Sequence, residues 1–164
     1  EAGKTLSRIY GDRDLLISEA LRHGIWNGMD SAGLAAIAAA LVYEARRDEE
    51  LEVRVPKGNF ADYAEKTMDL WWEIESLSKK HKLPGTSQLD FSISFAFHRW
   101  ASGARLDQVL DIADLLPGDF IRWAKQVIDA LDQIAQSADG KISETAKNAI
   151  DQVKRGIVAY SFYG

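Results

Sequence analysis

The sequence predicts an all-α fold, a single bundle of about seven helices with a long sixth helix. Three observations lead there. Apolar residues recur at helical spacing in segment after segment, while period-two alternation is confined to Leu51–Val55, which is short and charged. The three prolines, Pro56, Pro84 and Pro117, all fall between periodic segments. The chain has 164 residues, 46% of them apolar, with five tryptophans. At that one-domain length, folding buries about 68–70% of the unfolded surface.

Each helix has its own signals. The first is expected from about Asp12 to His23, with acidic residues in its first turn and Gly24 past its end. The second, capped by Ser31, runs from Ala32 to about Ala45, and its small side chains allow close packing. Asn59 is placed to cap a long third helix from Phe60 to about His81, whose Lys79-Lys80-His81-Lys82 end suits the negative helix terminus. The fourth, strongly apolar, covers about Asp90 to Ser102 and stops at Gly103. A short fifth from about Leu106 to Ala113 precedes Pro117, and the sixth runs from Asp119 to about Ser137. The last starts after Ser143 and extends to about Tyr160. Glu44 to Lys57, with charges of both signs, is expected to be a solvated, flexible connection.

Composition excludes several function classes. The chain has no cysteine, which rules out disulfides, thiolate metal sites and a Cys nucleophile and fits the cytoplasm. No apolar run is long enough to span a bilayer and no signal-peptide pattern opens the chain, so no membrane partner is expected. The net charge of −5 argues against a free-standing nucleic-acid binder. Any such contact should be local, weak alone, or supplemented by another domain. There is no phosphate loop, no DExH-type acidic motif and no nucleophile elbow. His23, His81 and His98 lack ligand spacing, and His98, between Phe97 and Trp100, reads as a core-edge histidine. No catalytic residue and no metal site is expected.

The sixth helix carries the most information. At ~100° per residue, Phe120, Trp123, Ala124, Val127, Leu131, Ile134 and Ala135 gather on one side. Arg122, Gln126, Asp129, Gln133 and Gln136 line up nearly opposite, with Lys125 beside them. An amphipathic helix must put polar residues somewhere, but this stripe mixes Arg with amides able to hydrogen-bond bases or sugars. Arg122 can stack on a base as well as pair with a phosphate.

Several ordered blocks carry a resemblance. They are T-L-S-R-I-Y-G-D-R-D-L-L-I-S-E-A-L-R-H-G-I-W-N-G-M from Thr5 to Met29 and L-A-A-I-A-A-A-L-V-Y-E-A-R-R from Leu34 to Arg47. W-x-x-G follows at Trp100 to Gly103, G-D-F-I-R at Gly118 to Arg122, and K-R-G-I-V-A-Y-S at Lys154 to Ser161. In that order they resemble the DSHCT C-terminal helical domain of exosome-type, superkiller-like DExH-box RNA helicases, most of all the actinobacterial HelY type. The resemblance covers residues 1–164, except that residues 1–4 match poorly and read as linker or tag. It implies a parent enzyme that hydrolyses ATP, with Mg, on RecA-like motor domains and moves along RNA, while this fragment holds no cofactor. It also implies that the domain packs on its own motor domains and that its long ratchet helix guides single-stranded RNA, or DNA, as the strand leaves them.

The family's ratchet helix presents basic residues about one turn apart near its start. Arg122 matches the first. The next position holds Gln126, an amide where a basic residue is expected, and Lys125 substitutes in part. Asp129 continues the stripe. Glu44 is the nearest match to an acidic base contact at the end of the second helix, with a salt bridge to Arg46 or Arg47 as the competing reading. Trp100 and Gly103 read as structural, a core aromatic and a helix stop needing positive φ.

Two other functions remain open. A helical protein–protein docking module without a nucleic-acid role predicts an exposed apolar patch using Trp71 or Trp72, since adjacent helical residues cannot both face the core. A helix-turn-helix DNA reader built from the fifth and sixth helices is disfavoured by the acidic charge and by Asp119 at the start of the would-be recognition helix.

Overall fold

The computed structural model describes residues 13–44, 55–56 and 58–163. Among them are eight helices and no strand. These are α1, helical over 13–22, then α2 (Ser31–Val42), α3 (Phe60–Lys80), α4 (Ser94–Ala101), α5 (Leu106–Ala113), α6 (Pro117–Ser137), α7 (Gly140–Val153) and α8 (Gly156–Ser161). The all-α bundle expected from the sequence is what forms. Residues 1–4, most of the Glu44–Lys57 connection and all but the last residue of the Leu51–Val55 alternation lie outside the described residues.

The bundle is built around α2. Every residue from Gly33 to Leu41 is buried, so the helix is apolar on all sides, the pattern of a helix enclosed by others. It packs against α4, α6 and α7. Its run of alanines keeps side chains short, so neighbouring helices approach without large residues to accommodate. The hydroxyl of Ser94 in α4 donates to the Ala36 carbonyl of α2 at 2.8 Å, inside the core. Ser31 at the start of α2 reaches Gln152 of α7 at 2.9 Å.

The cap of α2 differs from expectation. Asp30, not Ser31, is the N-cap, its carboxylate accepting from the Gly33 N–H at 2.8 Å. Both residue types serve as caps, and the helix begins one residue earlier than anticipated, which moves Ser31 inside it. Asn59 precedes α3 but makes no side-chain cap bond. Pro117 occupies the first turn of α6, where its missing N–H costs nothing. The sixth helix therefore starts two residues before Asp119.

The largest departure is at the C-terminus. The single last helix expected from Ser143 to about Tyr160 is two helices, α7 and α8, broken at Lys154 and Arg155. Ser143 lies inside α7 and its hydroxyl bonds the Ala135 carbonyl of α6. The break has a tertiary cause. Trp100 is buried and its indole N–H donates to the Val153 carbonyl at 2.8 Å. The Arg155 guanidinium lies 3.6 Å over the Trp100 ring and donates to the Trp100 and Ala104 carbonyls. Gly156, at φ +52°, then turns the chain into α8, at a place where an added Cβ would lie 3.5 Å from the same indole.

Trp100 also meets Phe120 of α6 edge to face at 5.2 Å, and at 2% exposure it is the core aromatic the sequence indicates. Trp123, one turn further along α6, packs on Tyr43 at the end of α2, 5.0 Å away. Gly103 ends the α4 segment at φ +101°, the positive-φ stop anticipated.

Candidate functional site

Pro117 and the α2 packing face fix the rotation of α6. Phe120, Ala124, Val127, Leu131, Ile134 and Ala135 point into the core, so the polar stripe is turned outward. Arg122 sits on the first turns of that stripe with 61% of its side chain exposed. Its guanidinium is 3.4 Å from the Asp119 carboxylate and 5.3 Å from the centre of the Trp123 ring. The guanidinium thus has protein partners in Asp119 and Trp123 while most of the side chain stays exposed.

Two depressions flank the start of α6. A small one, about 110 Å³, joins Glu44, Asp114, Asp119 and Arg122 over the Tyr43 and Trp123 rings. A larger groove of about 490 Å³ runs between α6, the end of α2 and the Gly85–Ser87 turn, and is lined by Glu44, Gln126, Asp129 and Gln133 with the Trp123 edge. Four of the five residues singled out in the sequence therefore come together, with Glu44 common to both depressions. Lys125 does not join them. Its ammonium projects to the other flank of the stripe, 5.3 Å over the Phe162 ring beyond α8. The alternative partners of Glu44, Arg46 and Arg47, lie outside the described residues.

The groove is rich in acceptors. Burial raises the Asp129 pKa, and the neighbouring Asp132 adds to it. Burial likewise raises that of Asp14 at the α1 side, where Gln133 donates to it. Arg13 is fixed at one wall, its guanidinium donating to the Leu41 carbonyl at 2.9 Å and the Ser87 carbonyl at 2.8 Å. Thr86, beside Ser87 in the same turn, is secured in its own right: its hydroxyl accepts from the Trp71 indole at 2.7 Å and donates to Glu75 at 2.6 Å. Nothing in the local sequence marks Arg13 or Thr86 as groove residues, because both arrive through long-range folding. Trp123, on the apolar side of the sixth helix, is only partly buried and lines both depressions.

Chemically this surface can hold a planar, hydrogen-bonding ligand: a cation with a stacking face, an amide, and two carboxylates that accept from amino groups. Among the described residues no cluster of His, Asp or Glu has the makings of a metal site. No helix there is long and apolar enough to cross a membrane.

Comparison with known proteins gives a consistent picture. The family described as the DSHCT (NUC185) domain matches residues 1–161. "Probable helicase HelY" of Mycobacterium leprae is 34% identical over 169 residues, an alignment covering 96% of this chain and 18% of that protein. Its namesake in Mycobacterium tuberculosis strain H37Rv is also 34% identical, with 19% of its length covered. "DExH-box ATP-dependent RNA helicase DExH10" of Arabidopsis thaliana is 24% identical over 170 residues, covering 98% of this chain and 17% of the plant protein. The chain thus spans less than a fifth of the length of these relatives.

Proposed function

This chain belongs to the DSHCT (NUC185) domain family of DExH-box helicases, and on that footing we propose that it is the C-terminal accessory domain of a cytoplasmic, ATP-dependent RNA helicase. In this reading it packs on the helicase's own motor domains, and the outward stripe of α6 guides the single strand, RNA or DNA, as it leaves them. ATP and Mg belong to the motor. This domain's residues hold and orient bases.

The observation that carries the reading is the composition of the α6 surface. Arg122 offers an exposed guanidinium face already oriented by Asp119 and Trp123, suited to stacking on a base. Gln126 donates and accepts, while Glu44 and Asp129 accept from exocyclic amines and repel phosphates. A strand lying here turns its bases toward the groove and its backbone outward. Such contacts release easily, as a moving strand requires.

The test is unwinding by the full-length helicase. A lost charge-assisted or stacking contact is worth about 1–3 kcal/mol, so Arg122→Ala should slow RNA unwinding several-fold with an unchanged melting temperature. Gln126→Ala should do less. Unchanged unwinding at unchanged stability would make the stripe plain solvated surface.

One observation favours the docking-module reading. Trp71 is buried while its neighbour Trp72 is 53% exposed, and Leu77 and Leu83 are exposed at the same end of α3. If Trp72→Ala abolishes association with the motor domains while Arg122→Ala leaves unwinding intact, docking is the domain's main role.

A further inference from the structure

The far flank of α6 carries a second unusual surface. Tyr160 and Tyr163 are 79% and 86% exposed, and Phe162 between them is 43% exposed. Three large aromatic side chains within four residues of the surface are more than solubility accounts for. Two ammonium groups stand over the Phe162 ring: Lys154 at 4.4 Å and Lys125, from α6, at 5.3 Å. Both lie within the reach of cation–π attraction, about 6 Å. Among the described residues neither lysine forms an ion pair with a carboxylate. In an acidic chain, this is a local concentration of uncompensated positive charge beside exposed rings.

Aromatic faces for bases with lysines for phosphates are the elements of a sequence-tolerant single-strand platform. The patch also adjoins the α6 stripe, since Lys125, one helical turn from Arg122, stands at the stripe's edge and turns its ammonium to the Phe162 ring. We propose that Tyr160, Phe162 and Tyr163, with Lys125 and Lys154, form a stacking site for single-stranded nucleic acid that extends the strand path beyond α6. The proposal deepens the reading that α6 faces a strand and rests on it for the direction of that path. The two surfaces divide the work: the acceptor-rich groove takes base edges, and the lysine-flanked rings take base faces and the phosphates between them.

The experiment is fluorescence anisotropy of this chain with a labelled twelve-nucleotide oligoadenylate, at several salt concentrations. The doubly substituted Tyr160→Ala/Tyr163→Ala should bind about ten-fold more weakly with an unchanged salt slope. Tyr163→Phe, which keeps the ring, should bind as the parent does. Lys125→Ala/Lys154→Ala should lower the salt slope by about 1.4, the release expected for two phosphates on a single strand. Both tyrosines are exposed, so melting temperatures should stay level. Parental binding by both double variants overturns the proposal, and if Arg122→Ala is then weakened, the α6 reading survives alone. Weakening by the double variants with Arg122→Ala unaffected supports the patch and removes the α6 stripe from the path. Absence of oligoadenylate binding by the parent chain overturns the patch as a strand contact.

Discussion

Trp100 shows how much one side chain can organise. Its ring is enclosed by Phe120, Arg155 and Gly156, and its N–H closes on the Val153 carbonyl. Trp100→Ala should therefore cost about 3–5 kcal/mol, the range for a large aromatic lost from a core, measured by denaturant unfolding. Next to it, burial lowers the His98 pKa, an effect Asp30 partly offsets and Arg99 reinforces. A folded value below the unfolded one, about 6.5, means the unfolded chain binds the proton more tightly. The contribution of His98 is thus complete above that pH and lost as pH falls through the folded value. Melting temperature should decline on acidification from about pH 7 toward 5, and His98→Gln should flatten the decline. Asp14 and Asp129, with raised values, act in the opposite sense at lower pH. Residue roles of this kind were unevenly legible. The buried tryptophan and the positive-φ glycine after it follow from pattern alone. The side-chain direction of Lys125 does not, because the ring it covers is placed by a helix break that depends on distant contacts.

At the level of elements, amphipathic periodicity and punctuation located the helices well. The fifth helix has the bounds read from the sequence, and α3 and α6 agree closely at their C-terminal ends. What escaped is the junction of α7 and α8. Local propensity runs through Lys154 and Arg155, and only the docking of Arg155 onto the Trp100 and Ala104 carbonyls makes a break the better solution. The end of α3 holds a different tension. Leu83 N–H bonds the Ser78 carbonyl and Lys82 N–H the Lys79 carbonyl, closing the helix with Lys82 at φ +56°. A side chain in this left-handed conformation costs roughly 1–2 kcal/mol relative to glycine. Lys82→Gly should accordingly raise the melting temperature, offset in part by glycine's greater freedom in the unfolded chain. A fall would show that the lysine side chain itself supports the helix end.

The whole molecule is acidic, at −5, yet its basic groups are unevenly spread. Arg122 lies at one edge of an acceptor-rich groove, and Lys125 and Lys154 stand over an exposed ring on the other flank of α6. The acidic composition argues against a free-standing nucleic-acid binder, so under the proposed reading any strand would be met weakly and locally, at these two surfaces. How these surfaces are held still depends on α2, the alanine-rich helix enclosed by α4, α6 and α7. With no face toward water, α2 has no local route by which solvent can reach its backbone while its neighbours remain in place. Its amides from about Leu34 to Leu41 should exchange hydrogen for deuterium only through global opening, with protection equal to the full unfolding free energy. Amides at the exposed end of α3 should exchange by local fraying at far lower cost. The molecule would then have one slow-exchanging axis, and a strand pulling on its surface would meet a scaffold that yields at the periphery long before it yields at the centre.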